Sequence, residues 1–261
     1  MPPVTPAGPA GRDLLAGKVV VVTAAAGTGI GSATARRCLD EGARVVVSDH
    51  HERRLASTAA ELTGEFGESV HPIPCDVTDE EQVRALVAGT VDHYGRLDVL
   101  VNNAGLGGTA SVLEMTDEQW ARVLDVTLTG TFRCTRAALR QLVDQGGGGA
   151  VVNNASVVGW RAQEGQAHYA AAKAGVMALT RCAAKDVAEH GIRVNAVAPS
   201  LAAHPFLAKV TSEELLAELA GREAFGRAAQ PWEVATVIAF LASDYASYLT
   251  GEVIAVSSQH P

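Results

Sequence analysis

Residues 18–31 read KVVVVTAAAGTGIG, an apolar run that is followed at once by a glycine-rich turn. Four consecutive valines predict a strand that is covered on both faces. Glycines at positions 27, 29 and 31 let backbone N–H groups and the start of a helix approach a pyrophosphate without a side-chain clash. The stretch therefore predicts a strand–turn–helix unit that binds a dinucleotide, although a tight βα turn that binds nothing has the same pattern.

Similar apolar runs alternate with longer helix-forming stretches along the rest of the chain. This alternation predicts βαβ units and a parallel sheet. The predicted strands are residues 18–23, 44–48, 70–74, 97–101, 150–154, 192–197 and 252–256. The predicted helices are residues 30–41, 51–64, 79–94, 117–144, 167–190 and 232–243, with Asp79 and Asp117 as N-caps and Gly95, Gly146 and Gly191 beyond helix ends. We predict an α/β fold, a Rossmann-type doubly wound sheet of seven parallel strands.

Two segments fall outside this alternation. One precedes the single domain, which we predict to span residues 17–261, and the other lies within it. Residues 1–16 are rich in proline and have no basic or long apolar region, which predicts a flexible arm and not a signal peptide. Residues 201–230 replace a direct connection with short helical pieces at 205–209 and 212–220. Ligands bind outside the carboxyl ends of such strands, so we predict a helical substrate lid here. Packing of a short helix onto the domain surface is the alternative.

Composition excludes several classes of protein. The 261 residues are enough to bury a core without disulfides, and 29 acidic against 21 basic residues give a net charge of −8, which argues against nucleic acid as a partner. Eighteen consecutive apolar residues occur nowhere, so no membrane span is predicted. Cys38, Cys75, Cys134 and Cys182 form no CxxC pair, which predicts free thiols, no metal site and a cytoplasmic location.

The second predicted strand ends next to Asp49, about twenty residues beyond the glycine-rich turn. A carboxylate there can accept hydrogen bonds from both ribose hydroxyls of a dinucleotide, and it repels the additional phosphate of NADP. We therefore predict that NAD(H) is preferred. NADP(H) stays possible because His50, His51, Arg53 and Arg54 bring positive charge nearby, although a solvated first helical turn is the commoner role for such residues.

Three further motifs follow later strands: Asn102-Asn103-Ala104-Gly105, then Ser156, then Tyr169-Ala-Ala-Ala-Lys173. Together with the glycine-rich turn, they resemble the short-chain dehydrogenase/reductase family from Gly17 to about Ser257. Within it, TAAAGTGIGSATARR, SDHHERRL, NNASVVGWRAQ and EAFGRAAQPWEVA are most similar to an actinobacterial branch that breaks down steroid rings. The combination of motifs at these spacings is highly specific, whereas YxxxK alone would not be.

This resemblance implies an NAD(P)-dependent oxidoreductase of lipid metabolism, a homotetramer that interconverts a secondary alcohol and a ketone. Its small-molecule substrate would be bulky and alicyclic, a steroid-derived CoA thioester. Two alternatives are a reductase of linear 3-oxoacyl thioesters and a dinucleotide-binding sensor or scaffold without turnover. An intact set of serine, tyrosine and lysine argues against the sensor.

The chemistry also follows from the spacing of Tyr169 and Lys173, which lie on one helix face at i and i+4. An ammonium beside the phenol favours the phenolate and lowers a pKa of about 10 toward the working pH. Tyr169 can then exchange a proton with the alcohol or ketone while hydride moves to or from the nicotinamide. Ser156 fixes and polarises the substrate oxygen, and the resemblance adds that Lys173 holds the ribose hydroxyls.

The remaining site residues are carried over from the family by position. The predicted cofactor contacts are Thr23, Ala25, Gly27, Thr28, Gly29, Ile30, Asp49, His50, Asp76, Val77, Asn103, Ala104, Gly105, Tyr169, Lys173, Pro199 and Ser200. The predicted substrate contacts are Ser156, Trp160, Arg161, Tyr169, Phe206 and Leu207. A cation such as Arg161 can meet a carboxylate or a CoA phosphate, although a solvated arginine is commoner. Asp76 can meet the adenine amino group, cap a helix, or do both.

The sequence departs from the family pattern at three of its motifs. The glycine-rich turn has one residue more than TGxxxGxG, with Ala24 in place of the first glycine, and we expect Gly27 to take over that role. Thr127 stands where the family has its fourth catalytic residue, an asparagine; its hydroxyl can hold a relay water with fewer hydrogen bonds than an amide. His204 replaces a threonine that would contact the carboxamide of the cofactor.

Overall fold

A computed structural model describes residues 7–203 and 213–259 of the chain. Its centre is one seven-stranded sheet in the order β3-β2-β1-β4-β5-β6-β7, and every neighbouring pair is parallel. The strands are β1 Val19–Val22, β2 Arg44–Asp49, β3 Val70–Pro74, β4 Val99–Asn102, β5 Gly149–Asn154, β6 Ile192–Pro199 and β7 Val253–Val256. The predicted doubly wound parallel sheet is confirmed, and all seven predicted strands are present.

Helices cover both faces of this sheet. They are α1 Ile30–Asp40, α2 Glu52–Phe66, α3 Glu80–Tyr94, α4 Asp117–Leu124, α5 Gly130–Gln145, α6 Ala167–Asp186, α7 Glu213–Arg222 and α8 Pro231–Ala242. Successive strand residues point to opposite faces, so Val20 and Val22 enter the core beside α1 and α8, while Val21 enters the core beside α3 and α5. A strand that is buried on both sides explains the uninterrupted valines of β1.

Of the two predicted N-caps, one agrees with the structure and one differs. Asp79 caps α3 as expected and accepts hydrogen bonds from the backbone N–H groups of Glu81 and Gln82. Asp117 does not cap α4: Thr116 does, in a reciprocal capping box with Gln119. The Asp117 side chain instead lies in the first helical turn, where its negative charge interacts favourably with the positive end of the helix dipole.

The predicted long helix at 117–144 is not continuous. A π-helical turn, Asp125–Thr129, separates α4 from α5. Such a turn adds one residue to the helical repeat and changes which side chains face the sheet, and it often occurs at functional sites. The sequence showed no signal for it. In the same way α6 ends at Asp186, and a separate 3₁₀ turn at Ala188–His190 completes the predicted stretch to 190.

Residues 12–16, the end of the predicted arm, pack against the domain. Leu15 is fully buried, and its N–H donates to the Glu41 carbonyl oxygen. The Glu41 carboxylate is also fully buried; it pairs with Arg37 and accepts hydrogen bonds from the N–H groups of Arg12 at 2.7 Å and Leu14 at 3.1 Å. A buried carboxylate needs such partners, and the arm supplies them. Residues 1–6 lie outside the described part.

Both described ends of the excursion at 201–230 are anchored to the domain. Ala203 donates its N–H to the Ala229 carbonyl oxygen, and Ala229 donates to that of Leu201, both at 2.8 Å. Glu223, which follows α7, is buried and accepts hydrogen bonds from the Ser258 hydroxyl and its N–H. The predicted piece at 212–220 corresponds to α7, whereas the piece at 205–209 lies outside the described residues.

Neither a membrane span nor a metal cluster occurs among residues 7–203 and 213–259. No helix there is long and apolar enough to cross a bilayer. No group of three or more His, Cys, Asp and Glu side chains is placed to hold a metal ion. The four cysteines are free; three are buried, and Cys182 is exposed.

Candidate active site

The predicted motifs meet at one edge of the sheet, where its strand order reverses between β1 and β4. The glycine-rich turn follows β1, the segment 103–110 follows β4, and Ser156 follows β5. Carboxyl ends of parallel strands form a crevice at such a reversal, which is where ligands bind in doubly wound sheets. The fold therefore brings together residues that are more than fifty positions apart in the chain.

The glycine-rich turn has a left-handed backbone at two positions, one of which is the alanine that replaces the family's first glycine. Ala24 itself adopts the left-handed backbone that a glycine would prefer, with φ +49°, and Gly27 is left-handed as well, with φ +96°. For a residue with a Cβ this conformation costs about 1–2 kcal/mol. The expectation that Gly27 takes over from Ala24 is thus only partly right. A Cβ at Gly31 would lie 2.2 Å from the Ala24 carbonyl oxygen, so only glycine fits there.

The turn presents bare backbone toward open space. A Cβ at Gly27 or Gly29 would meet no atom within 4 Å, and Gly29 directly precedes α1. The Gly27 N–H already donates to the Thr58 hydroxyl oxygen at 3.0 Å, so the N–H groups at the start of α1 are the ones that suit a pyrophosphate. Thr28 and Ile30 lie in the same stretch, Ile30 being the first residue of α1. These residues fit the nucleotide that the sequence predicts.

Two predicted cofactor contacts face away from this space. The Thr23 hydroxyl is buried and accepts hydrogen bonds from the N–H groups of Asn103 at 3.0 Å and Ala104 at 3.1 Å. Ala25 is fully buried, and its N–H donates to the Ser48 carbonyl oxygen. The Thr23 hydroxyl and the Ala25 N–H thus stabilise the turn from within the protein, and their contact with the cofactor stays a prediction.

Asp49 ends β2 beside the turn, and its carboxylate is buried. One oxygen accepts from the Ala26 N–H at 3.3 Å, and the other accepts from the His51 N–H at 2.9 Å. Arg54 and His50 lie 3.6 and 3.5 Å from the carboxylate, but both side chains are largely exposed. A fixed carboxylate at this place fits ribose hydroxyls, and the two basic side chains lie where they can reduce its negative potential.

Asp76 and Val77 follow β3, the strand beyond β2 in the sheet. One Asp76 carboxylate oxygen accepts hydrogen bonds from the N–H and the hydroxyl of Thr78, so the residue stabilises its own turn while Asp79 caps the helix. Val77 is buried, and a Cβ at Gly130 would lie 2.6 Å from its side chain. The Val77 side chain therefore packs α5 against the sheet, which leaves its backbone for any ligand contact.

A buried polar network that the sequence did not predict ties the central strands to two helices. The Asn102 amide donates to Thr135 on α5 at 2.9 Å and to Asn153 on β5 at 2.8 Å. Asn153 donates in turn to Thr180 on α6 at 2.9 Å. All four residues are buried. Hydrogen-bonded polar groups in a core specify a unique packing, so this network fixes α6, and with it the tyrosine and lysine, relative to the sheet.

Ser156, Tyr169 and Lys173 come together as predicted. Ser156 begins a 3₁₀ turn and accepts a hydrogen bond from the Val158 N–H at 3.3 Å. The Lys173 ammonium lies 5.6 Å from the centre of the Tyr169 ring and donates to the Asn154 carbonyl oxygen at 2.5 Å. Lysine has three donors, so two N–H groups remain for other partners.

The pKa of Tyr169 is raised, contrary to the expectation. Burial has the largest effect and raises the pKa, while a hydrogen bond with the Ser156 side chain lowers it. Burial also lowers the pKa of Lys173 from 10.5 to about 8. Desolvation disfavours the charged form of each group, so the lysine favours the phenolate less than its bare charge suggests. The hydrogen bond with the Ser156 side chain lowers the pKa of Tyr169 but does not outweigh burial.

Thr127 lies in the π-helical turn and holds the loop after β4. Its hydroxyl accepts a hydrogen bond from the Leu106 N–H at 2.9 Å and donates to the Leu106 carbonyl oxygen at 3.0 Å. Its only proton is thus already donated, and a water could bind only by donating to it. The hydroxyl thus holds the loop in this structure, and the relay role stays a prediction. A Cβ at Gly105 would lie 3.5 Å from the lysine nitrogen and 3.8 Å from the Thr127 hydroxyl oxygen.

Two connected loops border the reacting groups. Gly107 lies against the Tyr169 ring, at 3.8 Å from the position of a Cβ to the nearest ring atom. Gln166 donates to the Gly108 carbonyl oxygen at 2.9 Å and so joins the loop after β4 to the loop before α6. His168 is buried and accepts a hydrogen bond from the Tyr169 N–H, which gives it a structural role beside the tyrosine.

Arg161 and Trp160 follow the 3₁₀ turn that Ser156 begins. Trp160 has 42% of its surface exposed. The Nε and Nη2 atoms of Arg161 are buried and have no hydrogen-bond partner within the described ranges. Buried N–H groups without an acceptor are costly, so an acceptor supplied by a ligand would stabilise these two nitrogens.

The last predicted contacts lie after β6. Pro199 ends this strand and is buried, and Ser200 donates its N–H to the Val256 carbonyl oxygen. Burial raises the pKa of the Glu223 carboxyl, but hydrogen bonds from three side chains, Ser200 among them, lower it overall. Ser200 thus anchors the start of the excursion. Phe206, Leu207 and His204 lie outside the described residues.

A glycine-rich nucleotide turn beside a serine, a tyrosine and a lysine defines a dinucleotide-dependent oxidoreductase. The family model described as enoyl-(acyl carrier protein) reductase matches residues 24–258. The chain belongs to the short-chain dehydrogenase/reductase family. It is an oxidoreductase that acts on hydroxyl or ketone groups with a nucleotide cofactor of the NAD(P) type.

Two curated relatives and one solved structure illustrate this membership. The (5R,7aS)-5-hydroxy-7a-methyl-1-oxo-2,3,5,6,7,7a-hexahydro-1H-indene-carboxyl-CoA reductase of Mycobacterium tuberculosis is 67% identical over 99% of this chain and 98% of its own length. The cis-4-hydroxycyclohexanecarboxylate dehydrogenase of Sinomonas cyclohexanicum is 44% identical over 94% and 96%. A crystal structure of a short chain dehydrogenase from Mycobacterium smegmatis has a TM-score of 0.88 and 59% identity, and the match covers 99% of each chain.

Proposed function

We propose that the protein is an NAD-dependent dehydrogenase/reductase of a secondary alcohol on a bulky alicyclic CoA thioester of steroid origin. The observation that carries the reaction is the convergence of Ser156, Tyr169 and Lys173 beside the glycine-rich turn. The two relatives support the substrate class, because both are named for a ring alcohol that also bears a carboxyl or carboxyl-CoA group.

In this proposal each side chain has one task. Ser156 donates a hydrogen bond to the substrate oxygen and holds the carbinol or ketone against the tyrosine. Tyr169 takes the proton from the alcohol, or returns it to the ketone. Lys173 is fixed by the Asn154 carbonyl oxygen and uses its remaining N–H groups on the ribose hydroxyls. The nicotinamide, when bound, accepts or supplies the hydride.

Arg161 supports an acyl substrate in particular. Its two buried, unpaired nitrogens lack an acceptor within the described chain, and carboxylate, thioester or phosphate oxygens would supply one. The excursion at 201–230, anchored at both described ends, is the lid that we propose for this pocket. An apolar cover would exclude water from the hydride transfer.

A substrate panel followed by NADH absorbance tests the function. We expect an indene-type or cyclohexane-type oxo-carboxyl-CoA to exceed acetoacetyl-CoA by about 100-fold in kcat/KM, or about 2.7 kcal/mol. Arg161→Met should raise KM for both thioesters, because both carry the thioester and phosphate oxygens that the arginine would bind. Equal or better use of acetoacetyl-CoA would favour the linear 3-oxoacyl reductase. NADH binding without turnover of any substrate would favour the sensor.

We further propose that NAD(H) is preferred over NADP(H) by at least about tenfold in kcat/KM, or about 1.4 kcal/mol. The buried Asp49 carboxylate repels an additional phosphate on the ribose. Asp49→Ser should reverse the preference, because it removes the negative charge and leaves Arg54 free to bind the phosphate. Arg54→Ala serves as the matched control and should leave the NAD preference intact. Equal efficiencies in the parent would show that the arginine controls the pocket instead.

A homotetramer in the cytoplasm is the assembly that we propose. Trp120 on α4 and Phe132 on α5 have 40% and 41% of their surface exposed, and β7 is an edge strand with partly exposed apolar side chains. Such faces supply self-complementary surfaces for symmetric assembly. Light scattering at micromolar concentration should give four times the chain mass of 27.0 kDa, and a monomer there would contradict the proposal.

A further inference from the structure

The left-handed turn at Ala24 is held by a side chain from a different strand. Asn103, directly after β4, donates from its amide nitrogen to the Ala24 carbonyl oxygen at 3.0 Å and to the Thr23 carbonyl oxygen at 3.2 Å. A residue with a Cβ is disfavoured at φ +49° unless its surroundings fix it. The two hydrogen bonds from Asn103 fix Ala24 in this conformation.

The Asn103 amide is itself oriented by Asn154, the last residue of β5. The Asn154 amide nitrogen donates to the Asn103 side-chain oxygen at 2.9 Å. An asparagine side chain can turn over and exchange its oxygen with its nitrogen. With its oxygen engaged by a donor, Asn103 must present its nitrogen to the turn. Asn154 therefore determines which end of the Asn103 amide faces Ala24.

The Asn154 side chain contributes little net folding stability, because the hydrogen bond that it donates is offset by its unpaired oxygen. Its side-chain oxygen is buried without a hydrogen-bond partner inside the described ranges, which costs free energy that an apolar side chain would not. The rest of β5 up to Val152 is apolar. The same residue also accepts the Lys173 ammonium at its carbonyl oxygen, so it joins the turn and the lysine.

We propose that Asn154 is a positioning residue for the cofactor. Its amide holds Asn103, Asn103 holds Ala24 in the left-handed conformation, and this sets the N–H groups of the glycine-rich turn toward the pyrophosphate. These hydrogen bonds, from Asn154 to Asn103 and from Asn103 to Ala24, form a relay that compensates for the missing first glycine. The proposal rests on the turn being the nucleotide site, but the relay itself exists in the protein without ligand.

The first test is Asn154→Val, which removes the donor and the unpaired oxygen and keeps the backbone carbonyl. We expect the Kd for NADH, measured by fluorescence titration, to rise about tenfold. Amide hydrogen exchange at residues 24–29 of the ligand-free protein should speed up at least fivefold. The melting temperature should stay within about two degrees of the parent, because the lost hydrogen bond is offset by removal of the unpaired oxygen. A purely structural role would lower the melting temperature and leave Kd unchanged.

The second test is a double-mutant cycle with Ala24→Gly. Glycine adopts a positive φ without strain, so the relay has less to hold. In that background Asn154→Val should raise Kd by less than threefold. An equal effect in both backgrounds, or a Kd for the single variant within twofold of the parent, would overturn the proposal. Asn154→Asp keeps the shape without the donor, and the same criteria apply to it if the valine variant does not fold. Exchange is measured without cofactor or substrate, so its result is independent of the proposed function.

Discussion

Tyr169→Phe is expected to lower kcat by about 10²–10⁴-fold and to leave the Kd for NADH within about twofold. The change deletes the phenol oxygen, which is the proton donor and acceptor of the proposed reaction, and keeps the ring that packs against Gly107. Loss of an interaction that is made mainly in the transition state lowers kcat without weakening ground-state binding. Initial rates from NADH absorbance and a fluorescence titration measure the two quantities.

Tyr248→Phe is a matched control for this prediction. Its side chain is fully exposed, so loss of the hydroxyl there should leave kcat and Kd unchanged. If Tyr169→Phe kept activity within tenfold of the parent, another group would have to move the proton. Ser156 would then be the next candidate, since it shares a hydrogen bond with the tyrosine.

Lys173→Met is expected to remove turnover and also to change how stability depends on pH. Burial lowers the pKa of Lys173 from 10.5 to about 8, so between these values the unfolded chain binds a proton that the folded protein does not. The parent therefore gains stability as pH rises from about 8 to about 10.5, and the full cost of the buried charge, about 3 kcal/mol, is present below pH 8. Methionine carries no such cost.

The lost hydrogen bond to Asn154 offsets part of this gain by about 1 kcal/mol. Denaturant unfolding should show Lys173→Met at least as stable as the parent at pH 7. This advantage should shrink by about 2 kcal/mol at pH 9.5, as the parent lysine loses its proton. Lys185→Met, an exposed lysine near the end of the same helix, controls for the change in general charge. A difference between parent and Lys173→Met that stays constant with pH would contradict the shifted pKa.

The fold could be predicted from the sequence because the apolar pattern of each strand indicates that both of its faces are buried. An uninterrupted valine run such as β1 is stable where both of its faces are buried, and a parallel sheet between two layers of helices is the usual way to bury them. Glycine and capping residues then placed most helix ends, as at Asp79 and Gly95. The exceptions, Thr116 in place of Asp117 and the π-helical turn, are local choices among nearly equivalent hydrogen-bonding patterns.

The sequence by itself determined the sheet, the place of the glycine-rich turn and the pairing of Tyr169 with Lys173, because each depends on the period or spacing of nearby residues. Only the tertiary structure decided that Ala24 is left-handed, that the Thr127 hydroxyl is already bonded to Leu106, and that burial raises the tyrosine pKa. The link from Asn154 to Asn103 joins residues 51 positions apart. Desolvation and contacts between distant strands exist only after the chain has folded, and no local pattern encodes them.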